Sequence, residues 1–287
     1  MLSYRHAFHA GNHADVLKHL TLIQVLRHLN QKEKPWWYVD THAGAGVYDL
    51  ASDYARKNAE HASGIGRLWD RSDLPPAVAD YVALVRGLNP DGRLRLYPGS
   101  PWLASRLMRP QDRLRLFELH PADAELLRHC FAELDRQVRI EAADGLTGLK
   151  AVLPPPPRRG LTLIDPAYEV KTDHRQVVTA LKAGLERFAT GIYIVWYPLL
   201  PRYDARELPE RLKRLPGVRW LNASLTVRAA SVRGHGMYGS GLFVVNPPWG
   251  LADGLAKALS WLVDVLAQDA AATYSLELAA AESVTPR

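Results

Sequence analysis

The sequence predicts an α/β fold in which a mostly parallel sheet is covered by helices. Three observations predict it. Short apolar runs alternate with helix-patterned stretches along most of the chain. Four of those runs end on an acid: Asp40, Glu118, Asp144 and Asp165. Two of the exits also carry glycines, in DTHAGAG (40–46) and ADG (143–145). With 287 residues, 47% hydrophobic and 23% charged, the chain has the makings of one large domain or one domain with an insertion.

Taken in order, ADVLKHLTLIQVLRHL (14–29) reads as a helix, with Val16, Leu20, Ile23 and Leu26 on one face. The run Trp36 to Val39 is a buried strand entering a tight glycine turn. Residues 50–95 are mostly polar and helical in pattern. Within them, LPPAVADYVALVRGLN has prolines at a helix start and Val78, Tyr81, Val85 and Leu88 on one face. This stretch is expected to be a small helical insertion. Strand and helix alternation resumes with RLRLFELHP (113–121). The next helix, ADAELLRHCFAEL, presents Leu126, Leu127 and Phe131 as apolar. QVRIEAADG and GLTLIDPAY are strands with exits, HRQVVTALKAGLERF is a helix, and GIYIVWYPLL is a strongly apolar strand. WLNASLTVRA and GLFVVNPPW follow without a clear helix between them, so an antiparallel edge is expected. The boundaries that result are 1–49 for an N-terminal segment with the first strand, 50–95 for the insertion, 96–278 for the rest of the domain, and 279–287 for a tail with too little to pack, expected to be disordered.

Several function classes are excluded at this level. The chain has one cysteine, Cys130, so it holds neither a disulfide framework nor a cysteine zinc site. The N-terminus is too polar for a signal peptide, and no apolar run has the length of a membrane span, so a cytoplasmic protein without a membrane partner is expected. His6, His9, His13 and His19 invite a metal reading, but no HExxH pattern accompanies them and no metal is expected. A phosphate-binding GxxxxGK[ST] loop is absent. Net charge is +6 and the pI about 9.4, a weak pointer to a polyanion. Arg158, Arg159 and the series Arg202, Arg206, Arg211 and Arg214 are candidates for phosphate contact, or simply a solvated face.

Ligands of open α/β sheets sit beyond the carboxyl ends of the strands. Gly44-Ala45-Gly46 lets a backbone approach a ligand closely, although it also serves as a purely structural turn. Glu118 suits the two hydroxyls of a ribose and Asp144 an exocyclic amine of adenine, while helix capping is the ordinary alternative for either acid. In Asp165-Pro166-Ala167-Tyr168, the proline pushes Asp165 to an extended conformation. Its carboxylate and the Pro166 carbonyl can then accept both hydrogens of one amine, and Tyr168 can stack on an extruded base. Asn246-Pro247-Pro248-Trp249 is the rival tetrapeptide; its place after the last strand disfavours it.

These residues in this order resemble S-adenosylmethionine-dependent methyltransferases acting on the N6 amine of adenine. Within that group the chain resembles the RlmJ family, which methylates 23S ribosomal RNA. The block MLSYRHAFHAGNHADVLKH carries most of the resemblance, with DTHAGAG, YPGSP, ELHP, ADG, RRGLTLIDPAYE, WYP and NPPW in support. The resemblance implies a Rossmann-like seven-stranded sheet with helices on both faces and a helical insertion. It implies that His19, His42, Ser100, Glu118, Asp144 and Gly145 contact the methyl donor, with Lys18 and Gly44 beside them, and that S-adenosylhomocysteine is the by-product. It further implies Asp165 as catalytic residue, supported by Pro166 and Tyr168, with Tyr4 and His6 at the RNA. The implied substrate is the adenine numbered 2030 in 23S RNA, protein-free or in an early assembly state, met by a monomer. The chain departs from the family's DPPY at Ala167, which gains an N–H that needs a partner. The alternatives are an adenine-N6 DNA methyltransferase and a catalytically impaired RNA-binding protein on the same fold.

Overall fold

The structure, a computed structural model, describes residues 5–134, 136–170, 172–231 and 236–279. Tyr4 and nearly all of the expected tail lie outside the described residues.

One sheet organises the chain. Its parallel strands are β1 (Trp37–Asp40), β4 (Arg113–Phe117), β5 (Val138–Glu141), β6 (Gly160–Ile164) and β7 (Ile192–Leu199). Beyond β7 come β8 (Trp220–Thr226) and β9 (Gly239–Val245), with β9 lying antiparallel between β7 and β8, so the antiparallel edge is present. The order is β10-β8-β9-β7-β6-β1-β4-β5. The sheet therefore has eight strands where the resemblance implies seven. The additional one, β10 (Thr273–Leu278), pairs antiparallel with β8 at the edge. Its backbone ladder and a 2.7 Å contact between the Ser224 and Ser275 hydroxyls hold it, while Tyr274 and Leu278 stay exposed.

Alternate side chains of the strands feed two cores, one on each face. Tyr38, Leu114, Leu116, Leu161 and Leu163 point into one. Val39, Phe117, Ile164, Tyr193 and Val195 point into the other. The first core is built on α1 (His13–Asn30), which starts where the Asn12 side chain accepts from the Ala14 and Asp15 N–H groups at 2.9 and 3.0 Å. Sequence periodicity gives α1 one apolar face, yet Leu17, Leu22 and Val25 are as buried as Val16 and Leu20. The reason is that α1 is enclosed. The sheet lies on one side, and α3 (Pro76–Gly87), α4 (Ser100–Leu107) and α9 (Leu251–Leu266) cover the others.

The helical insertion is clasped at its base by the antiparallel pair β2 (Val47–Asp49) and β3 (Leu96–Pro98). Between them lie α2 (Asp53–Asn58), two short 3-10 turns and α3. Val78, Tyr81, Val82 and Val85 of α3 join the same core as α1, so the insertion shares the main core. On the other face sit α6 (Gly145–Val152), α7 (Asp173–Arg187) and α8 (Tyr203–Lys213), while α5 (Pro121–Cys130) follows β4. The expected apolar face of α5 is only partly right. Ala124 and Leu127 are buried, but Leu126 is 55% exposed, because the next position along a helix is rotated by about 100°. Trp36 is fully buried, whereas Trp37 is half-buried under the Arg115 guanidinium, 4.2 Å from its ring centre.

Burial leaves a pH signature. His13, His19 and His42 are pushed by desolvation from 6.5 to about 4, 3 and 4. The unfolded chain therefore binds more protons below about 6.5, and stability must fall as pH falls through that range. Each group contributes on the order of 2 kcal/mol of loss between about pH 7 and pH 5. His9, raised by its hydrogen bond to Glu60, works in the opposite sense, as do the Asp40, Glu118 and Asp165 carboxyls, raised by burial, chiefly toward the acid end of the range. Thermal melts should show a falling Tm from pH 7.5 to 5; a flat profile would contradict the burial of these rings as neutral imidazoles.

Candidate active site

A cavity of about 430 Å³ opens at the carboxyl ends of β1, β4, β5, β6 and β7. Its walls bring together His6, Lys18, His19, His42, Gly44, Ser100, Glu118, Asp144, Gly145, Asp165 and Pro166, residues far apart in the chain.

At one end stand the two nucleoside-type acids. Glu118 accepts from the Gly44 N–H at 2.8 Å and the His120 N–H at 2.7 Å. Burial pushes its carboxyl up, and those two N–H groups offset part of the effect. Gly44 reaches this position at φ +64°, which favours glycine. Asp144 caps α6 by accepting from the Leu146 N–H at 2.9 Å and the Thr147 hydroxyl at 2.7 Å. Capping and ligand recognition are compatible, since a carboxylate offers about four lone-pair sites. Gly145 is a glycine for a packing reason: a Cβ there would meet the Thr41 carbonyl oxygen at 2.2 Å. Ser100 gives its hydroxyl to Asp40 at 2.7 Å, and Tyr38 donates to the same oxygen at 2.6 Å. Asp40, whose carboxyl burial pushes up, is thus a fully buried support beneath the loop.

The floor is polar. His42 Nδ1 lies 2.8 Å from the Thr41 hydroxyl. His19 Nδ1 lies 2.8 Å from the Tyr97 hydroxyl, itself 2.8 Å from that of Tyr81. His19 Nε2 is buried with no hydrogen-bond partner, although its ring lines the cavity. Asp15 Oδ1 is 3.8 Å from it, too far for a hydrogen bond, so the atom is open to a ligand or an ordered water.

At the chemical end, Lys18 Nζ donates to Asp165 at 2.6 Å and contacts Asp15 at 2.8 Å. Asp15 also accepts from the Gly11 N–H at 2.9 Å and lies 2.9 Å from His6 Nε2. Burial opposes the charge on Asp15, but His6 and the Lys18 ammonium outweigh it and hold its carboxyl well below the usual range. Burial likewise opposes Lys18, and the two aspartates outweigh it, so the ammonium stays charged. Asp165 is pushed up by burial, with Lys18 offsetting part. Lys18 engages one carboxylate oxygen of Asp165, Oδ2. Among the described residues no group donates to the Pro166 carbonyl. Ala167 is exposed, so water can satisfy the N–H that proline would lack.

The structure corrects the stacking role of Tyr168. This residue takes φ +54° and turns its ring into the second core, 4.7 Å from the His174 ring. Its hydroxyl donates to the Trp196 carbonyl at 2.6 Å, and the side chain does not line the cavity. Tyr168 thereby anchors the loop that carries Asp165. Trp196, beside Pro198 and Met237, supplies the aromatic wall at this end. Asp15 and Trp196 are the residues that sequence reasoning missed. A buried-looking WYP strand and an acid in the first turn of a helix were the available signals.

Asn246 belongs elsewhere. β9 runs against β7 with Val245 opposite Tyr193, so the NPPW exit emerges at the amino ends of the parallel strands, opposite the cavity. Asn246 adopts φ +53° and donates to the Ala189 and Gly191 carbonyls, both at 2.8 Å. Asn246→Ala should cost about 1–3 kcal/mol through the lost bonds and the left-handed backbone, with turnover per folded molecule unchanged. Turnover that collapses without a shift in Tm would relocate the centre. The arginine series also has local duties: Arg202 pairs with Asp204, and Arg159 donates to the Leu29 and Lys34 carbonyls.

A family model described as "RsmJ: Ribosomal RNA large subunit methyltransferase D, RlmJ" matches residues 33–278. The chain is 48% identical over 262 residues to "Ribosomal RNA large subunit methyltransferase J" of Escherichia coli (strain K12), covering 91% of this chain and 93% of that protein. It is 45% identical over 278 residues to the protein of the same name from Haemophilus influenzae (strain Rd), covering 96% and 98%. Among solved structures it is similar to protein LPL1258 of Legionella pneumophila, with a TM-score of 0.86 and 34% identity over 94% of this chain and 98% of that one.

Proposed function

Since the chain belongs to the RlmJ family of ribosomal RNA large subunit methyltransferases, we propose that it moves a methyl group from S-adenosylmethionine to the N6 amine of one adenine in 23S RNA, position 2030 in the family's numbering. The observation that carries the adenine assignment is the acceptor pair at the end of β6. The free oxygen of Asp165 and the Pro166 carbonyl lie in one cavity with the Glu118 and Asp144 end.

The residues present fit the methyl donor. Glu118 suits its ribose, Asp144 its adenine amine, and the unpartnered His19 Nε2 together with Lys18 suits an amino-acid carboxylate. The donor supplies an electrophilic methyl on a sulfonium, which departs as the neutral thioether. Asp165 and Pro166 do the rest. Their two acceptors take the hydrogens of the target amine and favour the pyramidal nitrogen, whose lone pair then points at the methyl. Asp165 is far too weak a base to deprotonate a neutral amine. It needs only to take the proton after methyl transfer has made the nitrogen cationic, and burial raises its proton affinity in that direction. Lys18 fixes the other carboxylate oxygen, and the Trp196 wall lies where a flipped base would rest.

Protein-free or early-assembly 23S RNA as substrate, a monomer, and a cytoplasmic site of action stand with this reading. Incubation with labelled S-adenosylmethionine and protein-free 23S RNA lacking the modification should yield N6-methyladenosine at one site and none in duplex DNA. Product in DNA would move the chain to DNA modification. No product with intact donor binding would favour a binding protein that kept the fold.

A further inference from the structure

A second concavity adjoins the first. It has a volume of about 280 Å³, lies between α6 and α7, and shares Asp144, Leu146 and Gln176 with the main cavity. Thr147 and Lys150, one turn apart on α6, face Arg175 and Thr179, about one turn apart on α7. The lining carries two cations, Lys150 and Arg175, and one carboxylate, Asp144, at the end shared with the main cavity. Lys150 and Arg175 are exposed cations with no side-chain partner among the described residues, in contrast to Arg202, Arg71 and Arg27, which are paired. Asp144 caps α6 through the Leu146 N–H and the Thr147 hydroxyl, and Asp173, outside the groove lining, accepts from the Val170 N–H at 3.1 Å. Beyond Asp144, two cations meet hydroxyl and amide side chains in a groove that adjoins the main cavity.

We propose that this α6–α7 groove binds backbone phosphates of the RNA strand that carries the target adenine. The inference rests on the RNA-methyltransferase reading and adds to it a substrate track that begins at the cavity mouth. The groove is open enough for a phosphodiester to lie across it, and its two cations suit a polyanion better than a neutral ligand. Placing the flipped base at Asp165 while the neighbouring phosphates rest on Lys150 and Arg175 would offset part of the cost of unstacking.

The test uses the full chain and a protein-free 23S RNA fragment, with Kd measured across a salt series for wild type, the double variant K150Q/R175Q and the charge-conserving K150R/R175K. Removing two phosphate contacts should weaken RNA binding at least about tenfold at low salt and flatten the slope of log K against log salt by about 1.4. K150R/R175K should retain most of the affinity, and S-adenosylmethionine affinity should be unchanged in both variants. A double variant with wild-type affinity and slope overturns the proposal. So does an equal loss of methyl-donor affinity, which would assign the groove to the donor. Failure of the underlying reading looks different: the wild-type protein itself would leave the RNA unmethylated, whether or not it binds it.

Discussion

Asp165→Ala should abolish methylation, lowering turnover by roughly a thousandfold or more, while the protein stays folded and binds the methyl donor close to normally. The fold tolerates the change because Lys18 keeps its second partner, Asp15, at 2.8 Å. The proposed donor end, with Glu118, Asp144 and Gly44, makes its own hydrogen bonds without Asp165. Under the proposed mechanism the loss is specific: one of two acceptors for the target amine, and the carboxylate beside the Pro166 carbonyl that would take its proton. Single-turnover assays with saturating donor and RNA read the loss directly, and donor titration by calorimetry reads the control. If the alanine variant retains turnover within tenfold, the acceptor pair is not the chemical centre.

Lys18→Met has the largest expected effect on stability. The ammonium lies between Asp15 and Asp165; Lys18 and Asp15 are buried, and the Asp165 side chain is only 14% exposed. Methionine fills a similar volume but leaves two carboxylates facing one another without a cation. Removing one member of a buried ionic cluster costs about 3–5 kcal/mol. Turnover should fall as well, because Asp165 loses the contact that fixes its Oδ2. Chemical denaturation measures the first effect. A double variant, Lys18→Met with Asp15→Asn, should recover part of the stability by removing one of the stranded charges. If Lys18→Met alone is neutral, the cluster is not held as an ionic unit.

Much of this site was legible before the fold was known, for one physical reason. In a parallel sheet every strand delivers its exit residues to the same end, so Asp40, Glu118, Asp144 and Asp165 could be gathered from apolar runs alone. Asn246 and the rest of the rival motif lie away from the cavity for a reason other than the one read from the sequence: β9 is neither the last strand nor an edge strand, but it runs against its neighbours. Direction of a loop side chain was not legible. Tyr168 faces the core because its backbone crosses to positive φ, a choice that no spacing reveals. Asp15 was hidden for another reason: an acid in the first helical turn has an ordinary explanation in the helix dipole. Its role emerges only when α1 lies across the end of β6 and brings Lys18 to Asp165, 147 residues further along the chain. β10 was missed because its apolar residues are few and largely exposed, leaving backbone pairing as its main support.

The enclosure of α1 has a consequence for how the protein fails. Lys18 and His19 ride on a helix walled in by the sheet, by the insertion through α3, and by α9. No outer layer can peel away from that helix while the reaction site remains assembled. Loss of activity in denaturant should therefore coincide with the global transition, and the α1 amides should exchange with solvent only through complete unfolding.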